Sequence, residues 1–157
     1  MPERNRPVAL VTGATSGIGA AIARRLSIDG FAVVLHSRNS ADAGHSLAAE
    51  LGNATYLQAD LADETARKTL VEKAAAHWGR LDVLVNNAGI SRVIPHADLD
   101  AATPAIWREL YEVNVVAPWQ LITEAVPIMR RGGNSPCIVN IASHAGVARR
   151  ELPFLTR

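Results

Sequence analysis

The segment Thr12-Gly13-Ala14-Thr15-Ser16-Gly17-Ile18-Gly19 mixes glycines with hydroxyl side chains directly after a short apolar run. Gly13 permits a tight turn, and Gly17 and Gly19 let backbone approach a phosphate and a neighbouring strand. A helix opening near Gly17 adds free N–H groups and the positive end of its dipole. Together these make a cradle for a pyrophosphate. The glycine spacing departs from Gly-x-Gly-x-x-Gly, and the plainer alternative is an ordinary strand–helix turn. The position between a first strand and a first helix favours the cradle.

Two further places carry chemistry. About 20 residues past such glycines lies the group that reads the adenosine ribose. Here the sequence is His36-Ser37-Arg38-Asn39, with no acid. A carboxylate would bond a free ribose 2′-hydroxyl. Arg38 would pair with a 2′-phosphate through a charge-assisted contact. This predicts NADP(H), with NAD as the alternative and a solvated surface arginine as the competing reading. Later, Asn114 stands four positions before Pro118. Proline has no N–H, so the Asn114 carbonyl loses its helical partner. A carbonyl freed in mid-helix is a natural anchor for water, although a core polar residue in a kinked helix would look the same.

The elements that must position these groups follow from apolar periodicity. Val8–Thr12, Phe31–Leu35, Ala54–Leu57, Leu81–Val85 and Ile138–Ile141 read as short strands apolar on both faces, as buried parallel strands are. Between them, helical patterns span Gly17–Asp29, Ser40–Leu51, Asp63–Trp78 and Thr103–Arg131. The last opens on Thr103 as cap and Pro104 at the first helical position. Its apolar stripe runs from Ile106 through Leu110, Val113, Ala117, Leu121 and Ala125 to Ile128. Strand–helix alternation predicts an α/β fold, a doubly wound parallel sheet of Rossmann type. The strand order expected is 3-2-1-4-5 with flanking helices. Residues 1–157 read as one NAD(P)-binding domain. The fifth strand is expected at a sheet edge unless another chain or a further segment covers it.

Composition agrees. The chain has 157 residues, 48% hydrophobic and 20% charged, with a formal net charge of +1. That is too apolar and too balanced for disorder, and it lacks the basic bias of a nucleic-acid binder. No apolar run approaches a membrane span, and Met1–Pro7 does not resemble a signal peptide. The lone Cys137 points to an intracellular, cytoplasmic protein. His36, His45, His77 and His96 show no metal spacing. Trp78, Trp107 and Trp119 are expected in the core or in helix packing, and Arg149 and Arg150 in solvent. His144 beside Ser143 is a poor hydrolase pair, because neighbours on a turn rarely face each other.

Thr-Gly-x-x-x-Gly-x-Gly on the first βα turn resembles the short-chain dehydrogenases/reductases. So do Asn86-Asn87-Ala88-Gly89 after the fourth strand and Ile138-Val139-Asn140-Ile141-Ala142-Ser143 on the fifth. The resemblance implies an oxidoreductase moving a hydride between a nicotinamide and a carbonyl or alcohol carbon. The enzyme expected is similar to a 3-oxoacyl-carrier-protein reductase or a general carbonyl reductase. It implies a cofactor held by Gly13, Thr15, Ser16, Gly17, Ile18, Gly19, Ser37, Arg38, Asp60, Leu61, Asn87, Ala88 and Gly89, with Asp60 near the adenine. It implies Ser143 as the serine that orients the substrate oxygen and Asn114 as the asparagine that holds a relay water. A turn serine is the alternative for Ser143, and a turn or capping acid for Asp60. The partners implied are a small carbonyl or alcohol and, for the complete fold, further copies of the subunit. No metal, nucleic acid or membrane is expected.

One element of that family's pattern is missing. Its Tyr-x-x-x-Lys follows the serine, whereas here the tyrosines are Tyr56 and Tyr111 and the lysines Lys68 and Lys73. The chain therefore reads as lacking the C-terminal part of the family fold. The alternative function is a dinucleotide-binding module without turnover.

Overall fold

In the computed structural model, residues 6–95, 97–132 and 135–143 are described. Strands β1 (Val8–Val11), β2 (Ala32–Ser37), β3 (Ala54–Gln58), β4 (Val83–Asn86) and β5 (Cys137–Asn140) form one sheet in the order β3-β2-β1-β4-β5. Every pairing is parallel, with Val11 opposite Leu35 and Val85, and Asn86 opposite Asn140. Helices α1 (Gly17–Ile28), α2 (Ala41–Leu51), α3 (Glu64–Trp78), α4 (Pro104–Tyr111) and α5 (Ala117–Gly132) supply the crossovers.

The expected strands are present, with shifted ends. β2 runs past Leu35 through His36 and Ser37, both buried, because their polar groups find partners inside the fold. Leu81 is fully buried but precedes β4. Burial on both faces holds for β1, β2 and β4, where Leu84 enters one core and Val85 the other. β3 and β5 are the sheet edges, and β5 is largely exposed.

Two apolar cores flank the sheet. One gathers Leu10, Val34, Val71, Leu84, Leu121 and Met129 beneath α3 and α5. The other gathers Val11, Val33, Leu35 and Val85 beneath α1 and α2. In α1 the small residues Gly19, Ala20 and Ala23 face the sheet, while Ile18 is 63% exposed.

The helix expected over Thr103–Arg131 has three parts. α4 begins as predicted, with Thr103 Oγ1 accepting the Ile106 N–H and Pro104 in the first turn. A π-helical turn, Glu112–Val116, then interrupts it, and α5 follows. Ala117 donates its N–H to the Glu112 carbonyl, five residues back. This loosened turn stands directly before Pro118, which has no N–H to give. Trp78 is half-buried as expected, but Trp107 and Trp119 are 66% and 64% exposed. Both lie off the stripe that reaches the sheet, so they are not core residues. His96, His144, Arg149 and Arg150 lie outside the described residues.

Candidate functional site

The glycine loop leaves β1 at Thr12. Gly13 and Gly17 take positive φ values of 63° and 52°, which favour glycine. A Cβ on Gly13 would lie 3.0 Å from the Ala88 Cα, and one on Gly19 would overlap the Gly13 carbonyl oxygen. The loop is thus sealed against the turn after β4 with no room for side chains. Thr12 is the joint. Its Oγ1 accepts the N–H groups of Asn87 and Ala88, each at 3.0 Å. Asn87 Nδ2 donates to the carbonyls of Thr12 at 2.9 Å and Gly13 at 3.1 Å.

α1 opens onto this loop. Ser16 occupies its cap position in extended geometry, yet its side chain caps nothing and no acid stands in the first turn. The first N–H groups of the helix keep their capacity for an anion, and the helix dipole reinforces it. The glycine positions that a Cβ would block and the uncapped helix start both fit a pyrophosphate.

β2 supplies the next wall. The His36 ring is buried, with Nδ1 3.4 Å from the Gly13 N–H and Nε2 3.1 Å from the Ala59 carbonyl. A carbonyl only accepts, so Nε2 carries the hydrogen and Nδ1 accepts from Gly13. Burial pushes the His36 pKa below its ordinary value, partly opposed by the Ala59 bond and the Asp60 charge. Ser37 Oγ lies 2.8 Å from the Tyr56 hydroxyl and accepts the Ser40 N–H at 3.2 Å. Arg38 follows, exposed, its carbonyl accepting from Gln58 Nε2 at 2.7 Å. Among the described residues its guanidinium has no carboxylate within ion-pair distance.

After β3, Asp60 Oδ1 accepts the Ala62 N–H at 2.9 Å, a turn role, while Asp63 caps α3 through the Ala66 N–H. Asp60 nonetheless faces the cleft beside Leu61.

These walls enclose a cleft of about 510 Å³ at the carboxyl ends of the strands. Gly13, Thr15, Ser16, Gly17, Ile18, Gly19, Ser37, Arg38, Asp60, Leu61, Asn87, Ala88 and Gly89 all line it. His36, Asn39, Ser40, Ile90 and Val113 line it as well and were not singled out from sequence. Asn39 and Ser40 could have been found as direct neighbours of Arg38, and Ile90 as the residue after the Asn-Asn-Ala-Gly run. Val113 carries no local signal, since it arrives from the π turn.

A second cleft, about 590 Å³, lies across Asn87–Ile90 and includes Asn114 and Ser143. The Asn114 side chain is committed to structure. Its Oδ1 accepts the Ile90 N–H and its Nδ2 donates to the Ile90 carbonyl, both at 2.9 Å. Its backbone carbonyl receives no N–H from Pro118, four residues on. Ser143 stands just past β5 on the same wall. Beside it, Asn86 Nδ2 donates to Asn140 Oδ1 at 2.9 Å.

The π turn that carries Asn114 is pinned from below. Arg67, 2% exposed, donates from Nη1 to Glu112 Oε1 at 2.7 Å and to the Leu61 carbonyl at 2.6 Å, and from Nε to Gln120. One buried guanidinium therefore ties the turn after β3 to the helix holding Asn114. Sequence reading did not find it.

Comparison with known proteins adds the following. The short chain dehydrogenase family model matches residues 7–153. "Granaticin polyketide synthase putative ketoacyl reductase 2" of Streptomyces violaceoruber is 51% identical over 140 residues, covering 89% of this chain and 56% of that protein. A short chain dehydrogenase from Burkholderia cenocepacia, solved in complex with NADP, superposes with a TM-score of 0.83 at 36% identity. That match covers 92% of this chain and 58% of the other. A metagenomic short-chain oxidoreductase in complex with NADP gives 0.81 at 38% identity over 89% of this chain and 63% of its own. The chain spans about half the length of the curated relatives it matches.

Proposed function

The chain belongs to the short chain dehydrogenase family, and from that premise we propose that it is the dinucleotide-binding part of an NADP(H)-preferring oxidoreductase. The observation that carries this is the end of β2. Arg38 stands exposed at the rim of the first cleft, with Ser37 and the start of α2 beside it and no acid to bond a free ribose 2′-hydroxyl. The NADP found in two similar structures supports the same reading.

In this reading residues 1–157 form one binding domain. Gly13, Gly17, Gly19 and the first N–H groups of α1 hold the pyrophosphate. Thr15, Ser16, Ile18, Asn87, Ala88 and Gly89 line its approach to the second cleft, while Asp60 and Leu61 wall the adenosine end. The nicotinamide, when bound, supplies or accepts the hydride exchanged with a carbonyl or alcohol carbon. Ser143 orients the substrate oxygen by a hydrogen bond. The Asn114 carbonyl holds a water at which a proton enters or leaves, and its side chain fixes the loop at Ile90. The ketoacyl reductase relative supports a carbonyl substrate such as a 3-oxoacyl group. The complete protein acts on a small molecule and assembles as a homo-oligomer.

The test is Arg38→Asp, read by NADPH and NADH binding to the same protein. NADPH binding should weaken more than NADH binding, by about 1.5–3 kcal/mol, the range for a hydrogen bond to a charged group. Equal losses for the two cofactors would remove Arg38 from phosphate recognition.

A further inference from the structure

We infer that Tyr56 is a positioning residue that makes the Ser37 hydroxyl a donor toward the first cleft, and so favours a phosphate over a free hydroxyl on the adenosine ribose. The inference rests on reading that cleft as the dinucleotide site.

Tyr56 sits on β3 with its ring buried. The ring lies over Gly44 of α2, where a Cβ would overlap the ring carbons, and meets the edge of His45 at 5.0 Å between centroids. Packed this way, the ring holds its hydroxyl 2.8 Å from Ser37 Oγ.

The proton count at Ser37 then decides what it can do. A serine hydroxyl has one hydrogen and two lone pairs. The Ser40 N–H takes one lone pair at 3.2 Å. The buried Tyr56 proton also needs an acceptor. Its candidates are Ser37 Oγ at 2.8 Å and the Ser37 carbonyl at 3.5 Å, and the second distance is at the limit for a hydrogen bond. Tyr56 therefore donates to Oγ and takes the second lone pair. Ser37 can no longer accept, and its own hydrogen is what it still offers to the cleft it lines.

A donor of this kind, one residue from the Arg38 guanidinium, matches a phosphate monoester, whose oxygens accept. A free 2′-hydroxyl is served less well. It can accept from Ser37, but its own proton finds no lone pair left on Ser37 and no carboxylate at the end of β2. A carboxylate, which would accept from a free 2′-hydroxyl, is thus replaced by a donor pair, and the residue that fixes the polarity of the serine lies outside the cleft lining.

The experiment measures binding of 2′-phospho-ADP-ribose and ADP-ribose, which differ only in that phosphate. Calorimetry is run on the 157-residue chain and on Tyr56→Phe, Ser37→Ala and the double variant. The ratio of the two affinities should fall about 3- to 10-fold in Tyr56→Phe, the span of one net hydrogen bond. It should fall similarly in Ser37→Ala and no further in the double variant. General loosening of the cleft weakens both probes alike and cancels in the ratio. A parent chain that prefers the phosphorylated probe while Tyr56→Phe keeps the full ratio overturns this inference and leaves the proposed function standing. A parent chain without that preference overturns the cofactor reading and the inference with it. Should Tyr56→Phe not fold, an unchanged ratio in Ser37→Ala alone is decisive against it.

Discussion

The two sides of the sheet build their sites by opposite means. On the β1–β2 side the surface offered to the cleft by the glycine loop is backbone, with glycines at positive φ and an uncapped helix start, and the side chains of Thr12, His36 and Asn87 tie the loops together. The ion pairs on this side, Arg24–Glu50 and Arg25–Asp29, sit in solvent on the outer helices. On the β4–β5 side the site is held by side chains. Asn114 clamps Ile90, and Arg67 reaches from α3 to pin the π turn at Glu112. The first side is closed and its strands are buried; the second exposes β5, Trp107, Tyr111 and Trp119. A cradle for phosphate needs N–H groups and space, which glycine and a helix end supply locally. On the other side the helix is broken at a π turn, and side chains from distant elements, Arg67 among them, hold that break in register.

The comparison is broken most severely at Arg67. Arg67→Ala leaves Glu112, the Leu61 carbonyl and Gln120 without their partner. Removing one member of a buried pair costs 3–5 kcal/mol. Because Glu112 is 37% exposed, a loss near the lower end, about 3 kcal/mol, is expected in urea unfolding. Arg25→Ala, removing an exposed pair, should cost less than about 1 kcal/mol. Similar losses for the two variants would mean that the buried guanidinium is not what holds the β4–β5 side together.

Gly19→Ala probes the cradle and should come next. Its Cβ meets the Gly13 carbonyl, which is backbone and can yield only by moving the loop. Overpacking of this kind costs about 1–3 kcal/mol, and dinucleotide binding should fall more steeply than stability. Full retention of binding in calorimetry would show that the loop has slack the structure does not suggest.

The smallest effect expected is the pH response of His36. Its folded pKa is lowered, chiefly by burial, below the ordinary value of 6.5. The unfolded chain therefore takes up the proton first as pH falls. The stability contribution is complete above about pH 6.5 and declines below it, levelling off once the folded form is protonated as well. Protonation also turns the Nδ1 acceptor into a donor facing the Gly13 N–H. Unfolding midpoints at pH 7.5 and 5.0 should separate more in the parent than in His36→Asn. The same separation in both would exclude His36 as the source.

How much of this was legible differs by residue. Every cofactor position expected from the glycine loop, the Asn-Asn-Ala-Gly turn and the β2 end lines one cleft, because all of them lie at the carboxyl ends of parallel strands. Asn114 was marked by the family resemblance and by Pro118 four residues on, and it lines the second cleft. The form of the break was not legible: a single helix was expected where α4, a π turn and α5 stand. His36 looked like an isolated histidine, and its partners lie at Gly13 and Ala59. Trp107 and Trp119 looked like core or helix-packing residues because large apolar side chains usually are, yet both are mostly exposed.

By itself, the sequence determined the alternation of strands and helices, the glycine turn after β1 and the absence of an acid after β2. Each of these depends on the conformational range of a residue, on a missing N–H, or on a charge at a fixed offset along the chain. Only the tertiary structure decided that the Tyr56 hydroxyl meets Ser37 Oγ, that Arg67 holds the turn of Asn114, and that Asn114 spends its side chain on Ile90. Those bonds join groups on different strands and helices. Their geometry exists only after the sheet has brought the elements together, and no local spacing encodes which donor will meet which acceptor.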